Sequence, residues 1–219
     1  MNTALRARPL QVGFEVDAVE RECARTAANL IHARQTVLPK RLLAPGPDAD
    51  QLQVLLGAAA AAPDHGQLLP WRFVIVPRTE RASLAEVFAQ ALRERDATAT
   101  PEQMDQAREK AHRAPFLLLV VVDGLRGDPA VDLSERILSA GCAVQNILLM
   151  ATAMGYGSAL TSGKALGSAA LRQRFRLSVG ENALCFMSMG TVAAHRPARL
   201  RPTVADYCST LASAPANAN

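Results

Sequence analysis

Residues Ala58–Phe73 read AAAAAPDHGQLLPWRF, and this stretch decides the fold of the chain. The run of alanines favours a helix. Pro63 ends that helix, because proline lacks an amide donor and disfavours helical geometry at the residue before it. Pro70 and Trp71 then open an apolar run that is typical of a buried strand. The stretch is therefore predicted to form a helix, a rigid loop and a strand.

The same periodicities, followed outward along the chain, predict six helices and four strands. The helices are expected at 17–33, 48–62, 79–95, 100–112, 133–154 and 168–176, and the strands at 73–76, 116–122, 156–160 and 183–189. Segment 133–154 is apolar nearly all round, which indicates a central helix or a subunit interface. With no repeat or linker, the pattern is that of one layered α/β or α+β domain.

Composition excludes several classes of protein. The 219 residues are 49% hydrophobic and 20% charged, which is typical of a globular protein and not of a disordered one. The net charge of +4 is spread along the chain, so it gives little support to nucleic-acid binding. The four cysteines have no CxxC spacing and are predicted to be buried free thiols. Without an apolar signal core or a membrane-spanning run, a cytoplasmic protein that binds no membrane is expected.

The loop within the opening stretch resembles that of a known family. The pattern Ala62-Pro63, followed after six residues by Pro70-Trp71-x-Phe73, resembles the flavin loop of the FMN-dependent nitroreductases, Ala-Pro-Ser-x-x-Asn-x-Gln-Pro-Trp. The Asp64-His65 variant is similar to a small subgroup of NAD(P)H nitroreductases. Gln67 replaces the usual Asn, and Leu69 stands where a Gln normally offers an amide to the flavin.

The resemblance runs from about residue 30 to residue 191 and implies more than the periodicities do. It implies an α+β fold with a mixed, largely antiparallel sheet flanked by helices, and a homodimer with FMN at its interface. It places an N-terminal extension and the start of the first helix at 1–28, the FMN-binding domain at 29–208 and a disordered tail at 209–219.

Arg34, Gln35 and Thr36 resemble the Arg-Arg-Ser with which the family holds the FMN phosphate and ribityl chain. A guanidinium forms charge-assisted, often bidentate bonds to phosphate, and a hydroxyl adds another. Gln35 removes one positive charge, which Lys40 or Arg41 could supply. The alternative is an ordinary basic helix end that complements the helix dipole.

A second set of candidate residues follows the later strand. The resemblance implies that Leu160, Thr161 and Ser162 contact the flavin through backbone amides and hydroxyls, whereas the plain alternative is a strand-to-helix turn. Arg199 and Arg201 lie where family members often place a basic residue near the phosphate. Either could equally belong to a solvated arm.

His65 is open to three interpretations. It contacts the flavin, as the subgroup suggests, it acts as a general acid towards the reduced substrate, or it donates to the backbone of its own loop. Asp64, beside it, is expected to cap the turn.

The function that follows from the resemblance is that of an FMN-dependent oxidoreductase. Such an enzyme takes hydride from NAD(P)H and reduces a nitroaromatic, a quinone or a related small acceptor by a ping-pong mechanism. No catalytic side chain and no metal ligand is predicted, because flavin N5 carries the chemistry. A non-catalytic FMN-binding or storage protein is the alternative, and a basic adaptor is a more distant one. Gly155-Tyr156-Gly157 does not begin a dinucleotide-binding motif, because Leu160 occupies the third glycine position.

Overall fold

The computed structural model describes residues 17–194 and 200–211. The predicted extension before residue 17, Arg199, and the part of the predicted tail after residue 211 lie outside the described residues.

Five strands of the described chain form one sheet centred on β5. They are β1 Leu42–Leu43, β2 Trp71–Ile75, β3 Phe116–Asp123, β4 Tyr156–Thr161 and β5 Glu181–Val192. β3, β4 and β1 each pair antiparallel with β5, and β2 pairs antiparallel with β3. One isolated parallel bridge joins Thr36 to Ser158 in β4. The predicted α+β fold with a largely antiparallel sheet is confirmed.

Helices pack on both faces of this sheet. They are α1 Ala18–Ala33, α2 Ala49–Ala59, α3 Arg81–Arg95, α4 Pro101–Glu109, α5 Leu133–Ala153 and α6 Ala169–Arg174. N-cap side chains accept backbone hydrogen bonds at the start of three of them: Asp48 at α2, Thr100 at α4 and Ser168 at α6. Gly155 follows the end of α5 with φ +81°, the left-handed conformation that glycine adopts without steric cost.

Successive side chains of β3 point to opposite faces of the sheet and so belong to two separate core layers. Leu118 and Val120 pack with α2 and α5 on one face. Leu117, Leu119 and Val121 pack with α3 and α6 on the other. β3 is therefore buried on both faces, as its unbroken valine and leucine run predicts.

α5 is the central helix. Among the described helices it is the one whose length and hydropathy would suffice to cross a membrane. Its inner side is instead part of the core, where Ala143, Ile147 and Ala151 are fully buried. Its first turns leave Leu133, Ile137 and Leu138 exposed.

The expectation of buried cysteines is wrong for two of the four, and one strand was not predicted. α1 forms as predicted, and none of its residues is buried. Cys23 on α1 and Cys208 are exposed, whereas Cys142 and Cys185 are half-buried. Burial raises the pKa of the Cys185 thiol to about 11. The two-residue β1 lies in the proline-rich segment expected to be a loop.

Candidate functional site

The segment after α1 runs beside β4 and forms a cavity there. Thr36 bridges Ser158, and the amide of Val37 donates to the carbonyl oxygen of Ser158 at 2.9 Å. A cavity of about 450 Å³ opens next to this contact. It is lined by Ile31, Arg34, Thr36, Gln145, Leu148, Ser158, Ala159, Leu160 and Arg201. We call it the arginine cavity.

Gly157 permits the close approach of these two segments. A Cβ at this position would lie 2.4 Å from Cγ2 of Val192, 2.9 Å from Cδ2 of Leu42 and 3.1 Å from Cγ2 of Val37. Those distances are below normal carbon contacts, so a side chain here would push the segment away from β4. Gly157 therefore has a packing role, consistent with the absence of a dinucleotide-binding motif.

The arginine cavity has an excess of positive charge. The described residues of its lining contribute two guanidinium groups, from Arg34 and Arg201, and no carboxylate. Within residues 17–194 and 200–211, no carboxylate oxygen lies within 4.0 Å of the Arg34 guanidinium. Arg201 Nη2 donates to the carbonyl oxygen of Arg34 at 3.0 Å, which holds the two residues together. Together with the Thr36 hydroxyl, this set of donors suits a phosphate group.

The loop between α2 and β2 has a strained backbone. Gly66, Gln67 and Leu69 have φ values of +63°, +53° and +47°. Non-glycine residues in this region each cost roughly 1–3 kcal/mol, and such strain clusters at functional sites. Asp64 holds the loop closed, because its Oδ2 accepts from the Leu69 amide at 2.6 Å. The expectation that Asp64 caps the turn is confirmed.

His65, on the same loop, is paired with α5. Its Nδ1 donates to Glu135 Oε2 at 2.8 Å. That hydrogen bond, together with the negative charge of Glu135, raises the pKa of His65. The stabilisation from this pair is present below the ordinary pKa of histidine and is lost as pH rises through the raised value. The bond to Glu135 differs from the backbone bond that one interpretation of His65 expected.

Three sets of contacts hold together this loop, the strand after it and the start of α5. Trp71 Nε1 donates to Ser139 Oγ at 3.0 Å, one helical turn after Glu135. Arg136, only 1% exposed, donates to the carbonyl oxygens of Val131, Asp123, Arg126 and Asp128, and so clamps the connection between β3 and α5. Leu68 lies against Gly127 of that connection, where an added Cβ would be 2.4 Å from Leu68 Cδ2.

The structure brings together some of the predicted residues. Arg34, Thr36 and Leu160 line the arginine cavity. Thr161 and Ser162 line a second cavity together with Lys40. Gln35 lies between Arg34 and Thr36 but is not in the lining of either cavity.

His65 lies apart from the arginine cavity within one chain. Its partner Glu135 and the cavity residue Gln145 are ten positions apart on α5. At 1.5 Å of rise per residue, that separation is about 15 Å along the helix axis.

Two polar residues of the arginine cavity, Gln145 and Ser158, were not assigned to it from sequence, because they carry no motif. Arg201, the third, is one of the two late arginines that the resemblance placed near the phosphate.

Comparison with known proteins adds independent information. Residues 31–191 match the sequence model of the Nitroreductase family. A protein of Haemophilus influenzae named "Putative NAD(P)H nitroreductase" is 34% identical over 155 residues, covering 69% of this chain and 82% of its own. An Escherichia coli protein of the same name, YdjA, is 33% identical over 154 residues, covering 69% and 81%.

Solved structures agree on the fold. A nitroreductase-like family protein from Bacillus cereus superposes with a TM-score of 0.72 at 18% identity, covering 84% of this chain and 95% of that one. The NADPH:FMN oxidoreductase of Vibrio harveyi, complexed with NAD⁺, gives 0.66 at 20% identity, covering 87% and 79%.

Proposed function

The chain belongs to the Nitroreductase family, and we propose that it is an FMN-dependent oxidoreductase using NAD(P)H as its electron donor. Its acceptor in this proposal is a nitroaromatic, a quinone or a related small molecule. The relatives named as NAD(P)H nitroreductases support the donor. The observation that carries the cofactor proposal is the arginine cavity, where two guanidinium groups face a space without a carboxylate.

In this proposal Arg34, Thr36 and Arg201 bind the FMN phosphate, and Gln35 and Arg199 are further cofactor-binding residues. The FMN-binding domain extends over residues 29–208. Arg201 is held against the backbone of Arg34, so its charge is positioned before a ligand arrives. Preorganised donors lose less conformational freedom on binding, which favours affinity.

Leu160, Thr161, Ser162 and His65 would contact the ring in this proposal. FMN, when bound, would supply the hydride-accepting and electron-donating chemistry at N5, and the proposed kinetic sequence is ping-pong. The strained loop around His65 is held rigidly by Asp64, which suits a wall for a flat ring.

We also propose that a second copy of the chain completes the site. Within one copy, His65 is separated from the arginine cavity by about 15 Å along α5. The apolar residues of α1 and the first turns of α5 are exposed, including Val19, Ile31 and Leu138. Pairing these surfaces in a homodimer would bury them and would bring a partner loop to the cavity.

The cofactor is tested by the visible spectrum of the purified protein. We expect a yellow protein that releases FMN, and not FAD, on acid precipitation. Added NAD(P)H should bleach the colour, and oxygen or a quinone should restore it, with parallel double-reciprocal plots. Bound FMN without NAD(P)H consumption would instead indicate a storage protein. A colourless protein that does not take up FMN would refute the assignment.

The shared site is tested by mixing inactive subunits. Arg34→Ala and His65→Ala homodimers should each have little activity. If each site uses Arg34 from one subunit and His65 from the other, a mixed dimer has one intact site, and activity should return towards a quarter of the wild-type value on random exchange. A monomer with bound flavin in light scattering, or no recovery in the mixture, would contradict the proposal.

A further inference from the structure

A second cavity lies on the opposite face of the sheet from the arginine cavity. It encloses about 640 Å³, within the range of small-molecule sites. Its lining includes Leu117 and Phe186 from the core layer that packs with α3, whereas the arginine cavity includes Leu148 of α5 from the other core layer. The two cavities are therefore separate spaces on either side of the sheet.

One wall of the second cavity is apolar and partly aromatic. Phe88, Leu92 and Leu166 line it together with Leu117 and Phe186. The rings of Phe88 and Phe186 meet edge to face, with centroids 5.5 Å apart. Such a surface favours a flat or apolar body over a hydrated inorganic ion.

The remaining lining is strongly basic. Five cationic side chains contribute to it: Lys40, Arg95, Lys110, Arg113 and Lys164. Among the described residues of the lining, Asp96 supplies the single carboxylate. Its Oδ1 already accepts from the amide and the hydroxyl of Thr98, at 3.0 and 2.7 Å. Because one engaged carboxylate faces five cations, the cavity has a net positive field.

Most of these cations have no acidic partner. In the described part of the chain, no carboxylate oxygen lies within 4.0 Å of the charged groups of Lys40, Arg95, Lys110 or Lys164. Arg113 pairs with Glu109 at 3.3 Å through Nη2, but its Nε is buried without a hydrogen-bond partner. A buried donor of this kind is costly unless a ligand or water satisfies it.

We propose that this second cavity binds an organic anion with an apolar ring or chain, such as an aromatic carboxylate. The apolar wall takes the body, and the cations take the carboxylate. This inference concerns binding alone. Thr161 and Ser162, at the end of β4, line this cavity and are also proposed flavin contacts, so the test is made with FMN already bound.

Calorimetry with three probes tests the proposal on the purified full-length protein saturated with FMN. 2-Naphthoate should bind with a dissociation constant below about 1 mM. This follows from its number of non-hydrogen atoms and the binding free energy per atom that is typical of small ligands. The neutral 2-naphthamide should bind at least about tenfold more weakly, because it lacks the charge. Acetate, which lacks the ring, should give no measurable heat. Equal affinity for naphthoate and naphthamide, or no binding of naphthoate, would overturn the proposal.

A pair of matched variants locates the site. Lys110→Gln/Lys164→Gln removes two cations from the cavity and should weaken naphthoate binding about tenfold or more, with naphthamide unchanged. Arg78→Gln/Arg93→Gln removes the same charge from exposed positions outside the cavity and should have little effect. Equal losses in both variants would mean nonspecific attraction, and a loss confined to Arg34→Ala would place the anion in the arginine cavity. Either result would refute the assignment.

Discussion

Two arginine environments in this molecule differ in what satisfies the guanidinium group. Arg136 is almost fully buried, and its donors bond to four carbonyl oxygens of the connection between β3 and α5. Arg34 lines an open cavity, and no carboxylate of the described chain pairs with it. The first group completes the hydrogen bonds of the fold, whereas the donors of the second remain available.

Burial alone is therefore a poor indicator of which arginine belongs to a ligand site. Arg136 and Arg81 are the most buried arginines of the described chain, yet each is satisfied by backbone carbonyls and belongs to the structure. A guanidinium in a cavity without acidic partners is the better indicator of a ligand site, since its donors remain available.

The largest expected effect is on the clamp. Arg136→Met keeps the apolar stem but leaves several carbonyl oxygens without a donor, so the free energy of unfolding should fall by about 3–5 kcal/mol. Urea denaturation measures it. Arg136→Lys should recover only part of the loss, because an ammonium group cannot reach all the oxygens in one plane. If the free energy of unfolding of Arg136→Met falls by less than about 1 kcal/mol, water molecules satisfy the carbonyl oxygens in place of Arg136.

Arg34→Ala should affect ligand binding and leave the fold intact. Losing hydrogen bonds to a charged phosphate, worth roughly 1.5–3 kcal/mol, should weaken FMN binding about 10- to 150-fold. Riboflavin has the same ring and no phosphate, so its affinity should barely change. Arg25→Ala, an exposed arginine on α1 paired with Glu22, is the control. Equal losses for both ligands would mean that Arg34 supports the fold and does not bind the phosphate.

Arg72 is an intermediate case, because a carboxylate satisfies it. Glu181 is 8% exposed and accepts from Arg72 and from the Ser178 amide, and the bond to Arg72 lowers the pKa of Glu181 to about 2. Its contribution to stability is present above the ordinary pKa and is lost as pH falls towards 2. Since the Arg72 side chain is 41% exposed, we expect about 1–2 kcal/mol.

Thermal unfolding between pH 6 and pH 2.5 tests this expectation. Glu181→Gln should be less stable than the wild type near neutral pH, and the two should converge as the carboxylate is protonated. A constant difference across that range would mean that the pair contributes through packing and not through charge.

The smallest effect should come from the strained loop. Gln67 is exposed with φ +53°, so Gln67→Gly should relieve steric strain against a higher entropic cost of folding, a net gain of about 0.5 kcal/mol. Gln67→Ala keeps the strain and should give no gain. If Gln67→Gly also weakens FMN binding, the strain belongs to the site. If binding is unchanged, the strain is incidental to it.

The sequence predicts most elements of this fold, because their signals are local. Apolar periodicity and capping residues define α2 to α6, and an unbroken valine and leucine run defines β3. Cys23 was expected to be buried and is exposed on α1, because periodicity reports an apolar face and not whether anything covers it. β1 was not predicted, because two residues between prolines carry no periodic signal.

The site is less predictable, because its contacts join distant parts of the chain. Arg201 bonds to Arg34 across 167 positions, and His65 bonds to Glu135 across 70. No local pattern encodes such pairs. The motif around Arg34 and Thr36 was recognisable as a phosphate-binding pattern, but only the folded chain shows that its neighbours leave it without an acid.

The bridge between Thr36 and Ser158 also bears on the order of events during synthesis. The two residues are about 120 positions apart, so the wall of the arginine cavity does not exist until the ribosome has released β4. β4 itself pairs with β5, which emerges later still. Any molecule that depends on this cavity must therefore join a nearly finished chain, and a product truncated before β5 would have no place for it.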